Sequence, residues 1–304
     1  MMQLYWQVYK NLEHEFITLA DVVLINDKQQ DVYSMKIADL LIRTVVEIEA
    51  IAKELYLANG GDSTLADEEM YYDTVCIAHL DDIWKICRKK IVVVSPNLYF
   101  ENEENKILTP LAKARKRGKS SAIWNRAYQA VKHNRVKDIA KGNIKHLLRA
   151  LAALYVLNLY YKDDSIEKLT ELDAKQTNSS FGSELFAVNI HHCFELNQDG
   201  SYVKKDNYDE CAYIVDYENN SKSRALKALR NVNEAISKKS VDDIMEQVNE
   251  KLAKGETPTQ EWIDCKKSET FSNAVHSIDY KLSRELSAGI AGMRYNIVLN
   301  KQQH

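Results

Sequence analysis

The fold class of this 304-residue chain is decided by one long apolar stretch. It reads Ile144-Lys145-His146-Leu147-Leu148-Arg149-Ala150-Leu151-Ala152-Ala153-Leu154-Tyr155-Val156-Leu157-Asn158-Leu159-Tyr160-Tyr161. Drawn as a helix, the stretch carries apolar groups on most of its faces, which is typical of a helix enclosed by other elements. Gly142 ends the preceding element, and Asn143 is a favourable N-cap. We therefore expect residues 144–161 to form the central helix of a bundle.

Helical periodicity continues on both sides of this central helix. Apolar residues spaced three and four apart predict helices over residues 3–25, 33–57, 67–90 and 122–140, and again over 223–236, 241–253 and 260–300. Residues 91–94 fit either a short strand or a helix end, and apolar segments within residues 185–217 predict a small β-hairpin insertion. The sequence thus indicates a mainly α helical bundle formed by residues 1–164. Residues 165–304 are expected to be a mixed, then helical, region that packs on or beside it.

Composition and cysteine usage exclude several classes of protein. With 45% hydrophobic and 28% charged residues, 9 glycines and 3 prolines, the chain resembles folded globular proteins and not disordered ones. No window reaches 18 consecutive apolar residues and the N-terminus lacks a signal-peptide pattern, so we expect a cytoplasmic protein that does not bind membranes. The five cysteines form no C-x-x-C pair, and His191, His192 and Cys193 would alternate between the faces of a strand. No metal site and no cofactor are predicted.

The net charge of −3 hides a strong local asymmetry. Residues 111–150, called the basic segment below, hold 12 Lys and Arg against one acidic residue, which is a net charge of +11. Clustered basic side chains attract phosphate, so this segment favours RNA, a nucleotide or an acidic protein as partner. The alternative is a solvated basic helix that balances the acidic remainder of the chain.

The basic segment contains a pair of residues suited to RNA cleavage. Arg126 and His133 are seven apart, so on a helix they share one face and lie roughly 10 Å apart along its axis. Histidine transfers protons near neutral pH, and arginine binds phosphate while staying charged. Metal-independent cleavage of RNA needs a base, an acid and a cation, and one histidine supplies only one of the two proton transfers. A symmetric homodimer would supply the second.

These residues resemble a known family. Arg126-x6-His133, on a helix followed by an apolar helix, resembles the R-x(4–6)-H motif of HEPN domains. Also similar to members of that group are Trp124, Tyr128, residues 132–135 and 150–157, and Tyr33-Ser34 followed by Glu47 and Lys53. HEPN domains are helical bundles whose active members are metal-independent endoribonucleases in toxin–antitoxin and phage-defence systems. Over roughly residues 1–160, the resemblance implies such a bundle, with an antitoxin protein as a further partner.

The candidate site residues follow from the pair and its surroundings. Arg126 is the expected phosphate clamp and His133 the expected acid or base, while Glu47 is the candidate to orient a cationic site residue. The expected RNA-binding residues are Trp124, Asn125, Tyr128, Lys132, Asn134, Arg135, Lys113, Arg115, Lys116 and Arg117. Two alternatives stay open for the pair: His133 hydrogen-bonded to a carboxylate, and Arg126 paired with an acid such as Glu47. The competing function is a non-catalytic module that binds RNA, a nucleotide or an acidic partner.

Overall fold

The computed structural model describes residues 4–169, 178–192 and 204–303, and these are mostly helical. The helices are α1 (Leu4–Ala20), α2 (Met35–Ala58), α3 (Ala78–Trp84), α4 (Glu103–Lys106), α5 (Ile123–His133), α6 (Arg135–Asp138), α7 (Ile144–Lys162), α8 (Asn219–Ala253), α9 (Gln260–His276) and α10 (Tyr280–Ala291). A π-helix, Tyr72–Ile77, leads directly into α3. The mainly α prediction is thus confirmed.

Helix α7 is the centre of the bundle, as the apolar stretch predicts. Every residue from 150 to 160 is buried, and α1, α2 and α5 pack around it. Asn143 caps its N-terminus by accepting a hydrogen bond from the backbone N–H of His146, at 3.1 Å. Since no side of α7 between residues 150 and 160 faces water, its burial removes a large apolar area from solvent and fixes the positions of the helices around it.

Helix α5 is shorter than the predicted helix over residues 122–140. It ends at His133, and Asn134 leaves the helical conformation with φ −147° and ψ 69°. The Asn134 side chain then caps α6 by accepting a hydrogen bond from the backbone N–H of Lys137, at 3.4 Å. Asparagine competes with helix continuation in this way because its side chain hydrogen-bonds to nearby backbone groups.

The predicted β-hairpin is wrong in its pairing. The strands are β1 (Ile25–Asn26), β2 (Ile91–Val93), β3 (Leu98–Tyr99), β4 (Ile107–Leu108), β5 (Ile166–Leu169), β6 (Phe186–Ala187), β7 (Ile190–His191), β8 (Tyr213–Tyr217) and β9 (Tyr295–Leu299). Strands β7 and β8 pair in parallel, so they cannot form a hairpin. Strand β6 pairs with β2, and β8 pairs with the distant β9. Residues 193–203 of the predicted hairpin lie outside the described residues.

The C-terminal part differs from the sequence pattern at three places. One helix, α8, spans both of the segments predicted over 223–236 and 241–253. The helix predicted over residues 260–300 is divided into α9 and α10 by residues 277–279. Strand β9 follows α10, with Tyr295, Ile297 and Leu299 buried at alternate positions. This two-residue period is the signature of a strand, and it was present in the sequence.

The described elements after residue 164 contribute to three apolar cores, of which the smallest contains Tyr208 and Ile214. Strands β8 and β9 contribute Tyr213, Val215 and Ile297 to the same apolar core as α7, whereas α8, α9 and α10 enclose a small core of their own. The division between residues 1–164 and 165–304 stays a prediction. Within the described ranges, no helix has the length and apolar character needed to cross a lipid bilayer.

Candidate nucleic-acid interface

Helix α5 presents the predicted Arg126 and His133 pair on its open face. Its buried face contacts α7 and α2 through Trp124, Ala127, Tyr128 and Val131. Arg126 and His133 are both exposed, and their seven-residue spacing places them on the face opposite these buried residues. Lys132 is exposed beside His133. The structure therefore gives both members of the pair access to solvent.

Neither member of the pair forms the ion pair or carboxylate contact that was the alternative. The Arg126 guanidinium donates a hydrogen bond to the backbone oxygen of Lys119, at 3.3 Å. Among the described residues, the His133 ring has no hydrogen-bond partner, and no carboxylate forms a salt bridge with Arg126. Both side chains are consequently available to a ligand.

The carboxylate beside α5 is Glu49 and not the predicted Glu47. Burial raises the pKa of Glu49, while the charge of Lys132 and a hydrogen bond with Tyr128 oppose this rise. Burial also raises the pKa of Glu47, but the cation near that side chain is Arg43. The two glutamates are two residues apart on α2 and so point in different directions. Only Glu49 is placed to influence the cations of α5.

The predicted base-stacking aromatics are part of the core. The Trp124 side chain is 1% exposed, and its indole N–H donates a hydrogen bond to the backbone oxygen of Pro110, at 2.8 Å. Tyr128 is equally buried, and its hydroxyl accepts a hydrogen bond from Lys132 Nζ, at 3.1 Å. The stacking role fails because these rings are the largest apolar groups of an amphipathic helix and their burial stabilises its packing.

Three predicted RNA-binding arginines form ion pairs within the protein. The pairs are Arg115 with Asp81 and Asp82, Arg117 with Asp73, and Arg135 with Asp39, at nitrogen to oxygen distances of 2.7, 3.1, 3.0 and 3.2 Å. Lys113 and Lys116 stay exposed. Part of the +11 charge is therefore balanced by N-terminal carboxylates, as the alternative interpretation of the basic segment expected.

Arg126 lines two cavities near the start of α5. The first, named the Trp124 cavity, has a volume of about 330 Å³, and its charged lining residues are Glu104, Lys113, Lys119, Arg126 and Arg149. The second, named the Asn125 cavity, has a volume of about 310 Å³ and is lined by Gly118, Lys119, Ser121, Asn125, Arg126 and Gln129. Arg126 and Lys119 line both, so the start of α5 is surrounded by cationic groups.

Asn125 occupies a buried position in the wall of the second cavity. Its side chain is 4% exposed, and its Nδ2 atom donates a hydrogen bond to Ser121 Oγ, at 2.8 Å. The amide oxygen Oδ1 is buried and has no hydrogen-bond partner in the described structure. The predicted RNA-binding role of Asn125 thus requires a ligand that enters the cavity.

Several lining residues of these cavities were not among the predicted site residues, and Lys119, Gln129 and Arg149 are three of them. Arg149 is the one arginine in the apolar stretch of α7, and its guanidinium reaches Asn105 Oδ1, at 2.9 Å. A charged residue inside an otherwise apolar helix was the signal that could have identified it. Lys119 precedes the start of α5, and Gln129 lies between Arg126 and His133 on the same helix face.

Neither protein-family models, nor curated protein sequences, nor solved structures give a match to this chain.

Proposed function

We propose that this protein is a HEPN-like endoribonuclease that binds single-stranded RNA along the open face of α5 and cleaves it without a metal ion. The observation that carries the proposal is the joint exposure of Arg126 and His133 on one helix face next to two cation-lined cavities. Arg126 contacts the phosphate and His133 transfers the proton. The cation-rich start of α5 attracts the backbone of the RNA.

The cleavage step uses only groups that protein side chains supply. A base removes the proton of a 2′-hydroxyl, the 2′-oxygen attacks the adjacent phosphorus, and the bond from phosphorus to the 5′-oxygen breaks. An acid gives that departing oxygen a proton, and a cation stabilises the negative charge on the phosphate oxygens. The products are a cyclic phosphate on one fragment and a hydroxyl on the other.

A homodimer supplies the missing proton-transfer group. Within one protomer, Arg126 and His133 are roughly 10 Å apart along the α5 axis, so they cannot easily contact the same phosphate. A two-fold arrangement of two α5 helices would bring the Arg126 of one copy near the His133 of the other and provide two histidines. An unregulated nuclease of this kind would damage cellular RNA. The proposal therefore includes an antitoxin protein that inhibits it, and a role in toxin–antitoxin systems or phage defence.

The test is cleavage of single-stranded RNA in the presence of EDTA. We expect the wild-type protein to cleave and His133→Ala to lose at least about 100-fold in rate, because one general acid or base contributes about that much or more. His14→Ala is the matched control, since His14 is an exposed histidine on α1, and it should cleave like the wild type. Circular dichroism checks that both variants are folded. Equal cleavage by His133→Ala would contradict the proposed mechanism.

A non-catalytic RNA-binding or nucleotide-binding module is the second candidate function. It is favoured by the cations around the two cavities, which bind phosphate whether or not a second protomer completes a catalytic site. This function would show salt-dependent RNA binding, weakened by Lys113→Ala, without any cleavage. Light scattering on the same sample would show whether the protein is a monomer under conditions where it binds RNA.

A further inference from the structure

The Asn125 cavity has the chemistry of a built anion site. Its lining residues include two cations, Lys119 and Arg126, and three neutral groups that form hydrogen bonds, on Ser121, Asn125 and Gln129. The sixth lining residue is Gly118, so none of the residues that line this cavity carries a negative charge. The Trp124 cavity differs in this respect because Glu104 lines it.

The buried amide of Asn125 indicates that a ligand belongs there. A buried polar atom without a hydrogen-bond partner is unfavourable, and Oδ1 of this residue is such an atom. Rotating the amide by 180° exchanges its oxygen and nitrogen. The Ser121 hydroxyl then donates to Oδ1, and an N–H donor of Asn125 becomes free to bind an anion in the cavity.

The start of α5 strengthens the attraction for anions. The N-cap residue, Ala122, has no side-chain acceptor for the backbone N–H groups of the first turn. These groups, together with the aligned peptide dipoles of this 11-residue helix, make its N-terminus electropositive. Ser121, which precedes the helix, and Asn125, which lies in its first turn, both line the cavity.

We infer that the Asn125 cavity binds the terminal phosphate monoester of an RNA strand. The inference rests on the proposed function, because it places a strand along α5. A terminal phosphate carries a charge of about −1.5 to −2 at pH 7 and three acceptor oxygens, and it therefore suits two cations and several donors better than an internal phosphodiester. From this cavity the strand continues over Gln129 toward Lys132 and His133. The protein would therefore prefer RNA with a phosphorylated end.

The test measures the affinity of the His133→Ala variant, in which we expect cleavage to be at least about 100-fold slower, for fluorescently labelled single-stranded RNA. The same sequence is compared with a 5′-phosphate, with a 3′-phosphate and with hydroxyls at both ends. We expect one of the phosphorylated forms to bind at least about tenfold more tightly than the hydroxyl form. Lys119→Ala and Gln129→Ala should each reduce that ratio at least about threefold. Lys137→Ala is the control, since Lys137 is an exposed lysine of the basic segment outside both cavities, and it should leave the ratio unchanged.

Competition with 5′-AMP and with inorganic phosphate identifies the source of the phosphate group. Strong competition by either shows that the cavity binds a free phosphate compound as well, and weak competition by both assigns it to the RNA end. Equal affinity for phosphorylated and hydroxyl RNA would overturn the inference, as would a preference that persists in Lys119→Ala and Gln129→Ala. Absence of RNA cleavage by the wild-type protein would contradict the proposed nuclease function without affecting a preference for phosphorylated RNA. Failure of the proposed function can therefore be distinguished from failure of this inference.

Discussion

Arg117 belongs to the basic segment, and its replacement by alanine distinguishes an RNA-binding side chain from one that stabilises the fold. Its Nε atom lies 3.0 and 3.1 Å from the two carboxylate oxygens of Asp73, and the guanidinium carbon lies 3.7 Å from the ring centroid of Tyr71. The Asp73 side chain is 6% exposed, and the Arg117 side chain is 47% exposed. Removal of Arg117 therefore leaves a mostly buried carboxylate without its cation.

The magnitude follows from these contacts. A hydrogen bond to a charged group contributes about 1.5–3 kcal/mol, and we place the Asp73 contact near the lower limit because water screens the half-exposed Arg117. The contact with Tyr71 adds about 0.5–1 kcal/mol at such an exposed site. We expect Arg117→Ala to lower the free energy of unfolding by about 2 kcal/mol. Lysine at this position should restore less than half of the lost stability, since Arg117→Lys keeps the charge but lacks the planar group that stacks on the Tyr71 ring.

Urea unfolding followed by circular dichroism is the assay, with Lys116→Ala as the matched control. Lys116 is exposed and carries the same charge, so its removal should change the free energy of unfolding by no more than about 0.5 kcal/mol. The RNA affinity of folded Arg117→Ala should fall by less than about threefold. Equal free energies of unfolding for Arg117→Ala and Lys116→Ala would contradict the prediction. An Arg117→Ala protein that keeps its stability but loses RNA binding would contradict it as well.

Two further predictions concern buried charges. Glu13 accepts hydrogen bonds from the Tyr9 hydroxyl, at 2.8 Å, and from the backbone N–H groups of Glu184 and Leu185, at 3.0 and 3.1 Å, so Glu13→Ala should cost about 3–5 kcal/mol in urea unfolding. Glu184 is exposed, so the control Glu184→Ala should lower the free energy of unfolding by less than about 1 kcal/mol. Similar losses of stability in Glu13→Ala and Glu184→Ala would contradict the prediction. Lys89 is fully buried, its Nζ atom has no described hydrogen-bond partner, and burial lowers its pKa from 10.5 to about 8. Between pH 8 and pH 10.5 the unfolded chain keeps a proton on Lys89 that the folded protein has released, so the stability of the protein rises with pH. Below about pH 8 the folded protein carries the full cost of burying the charged ammonium group. At pH 7, Lys89→Met should therefore have a higher free energy of unfolding than the wild type, by on the order of 2 kcal/mol, and this difference should be smaller at pH 10. A difference that stays constant between pH 7 and pH 10 would contradict the lowered pKa of Lys89.

Much of the fold was predictable because its signals are local. The apolar stretch determined the central helix α7, and three- and four-residue spacing located α2 and α5. The pairing of strands was not predictable, since β8 pairs with β9 about 80 residues later and nothing near either strand specifies that partner. The two-residue period of β9 is visible in the sequence, but the helix predicted over residues 260–300 covers the same residues.

The candidate site shows the same contrast between features set by neighbouring residues and features set by distant ones. The seven-residue spacing alone predicts that Arg126 and His133 share one face of a helix, because seven residues make about two turns. The charge of +11 on residues 111–150 likewise follows from composition. The burial of Trp124 and Tyr128, the ion pairs of Arg115 and Arg117 with N-terminal aspartates, and the two cavities that Arg126 lines became known from the three-dimensional structure. Helical phase depends on neighbouring residues alone, whereas burial and ion pairing depend on which distant segments pack against each face.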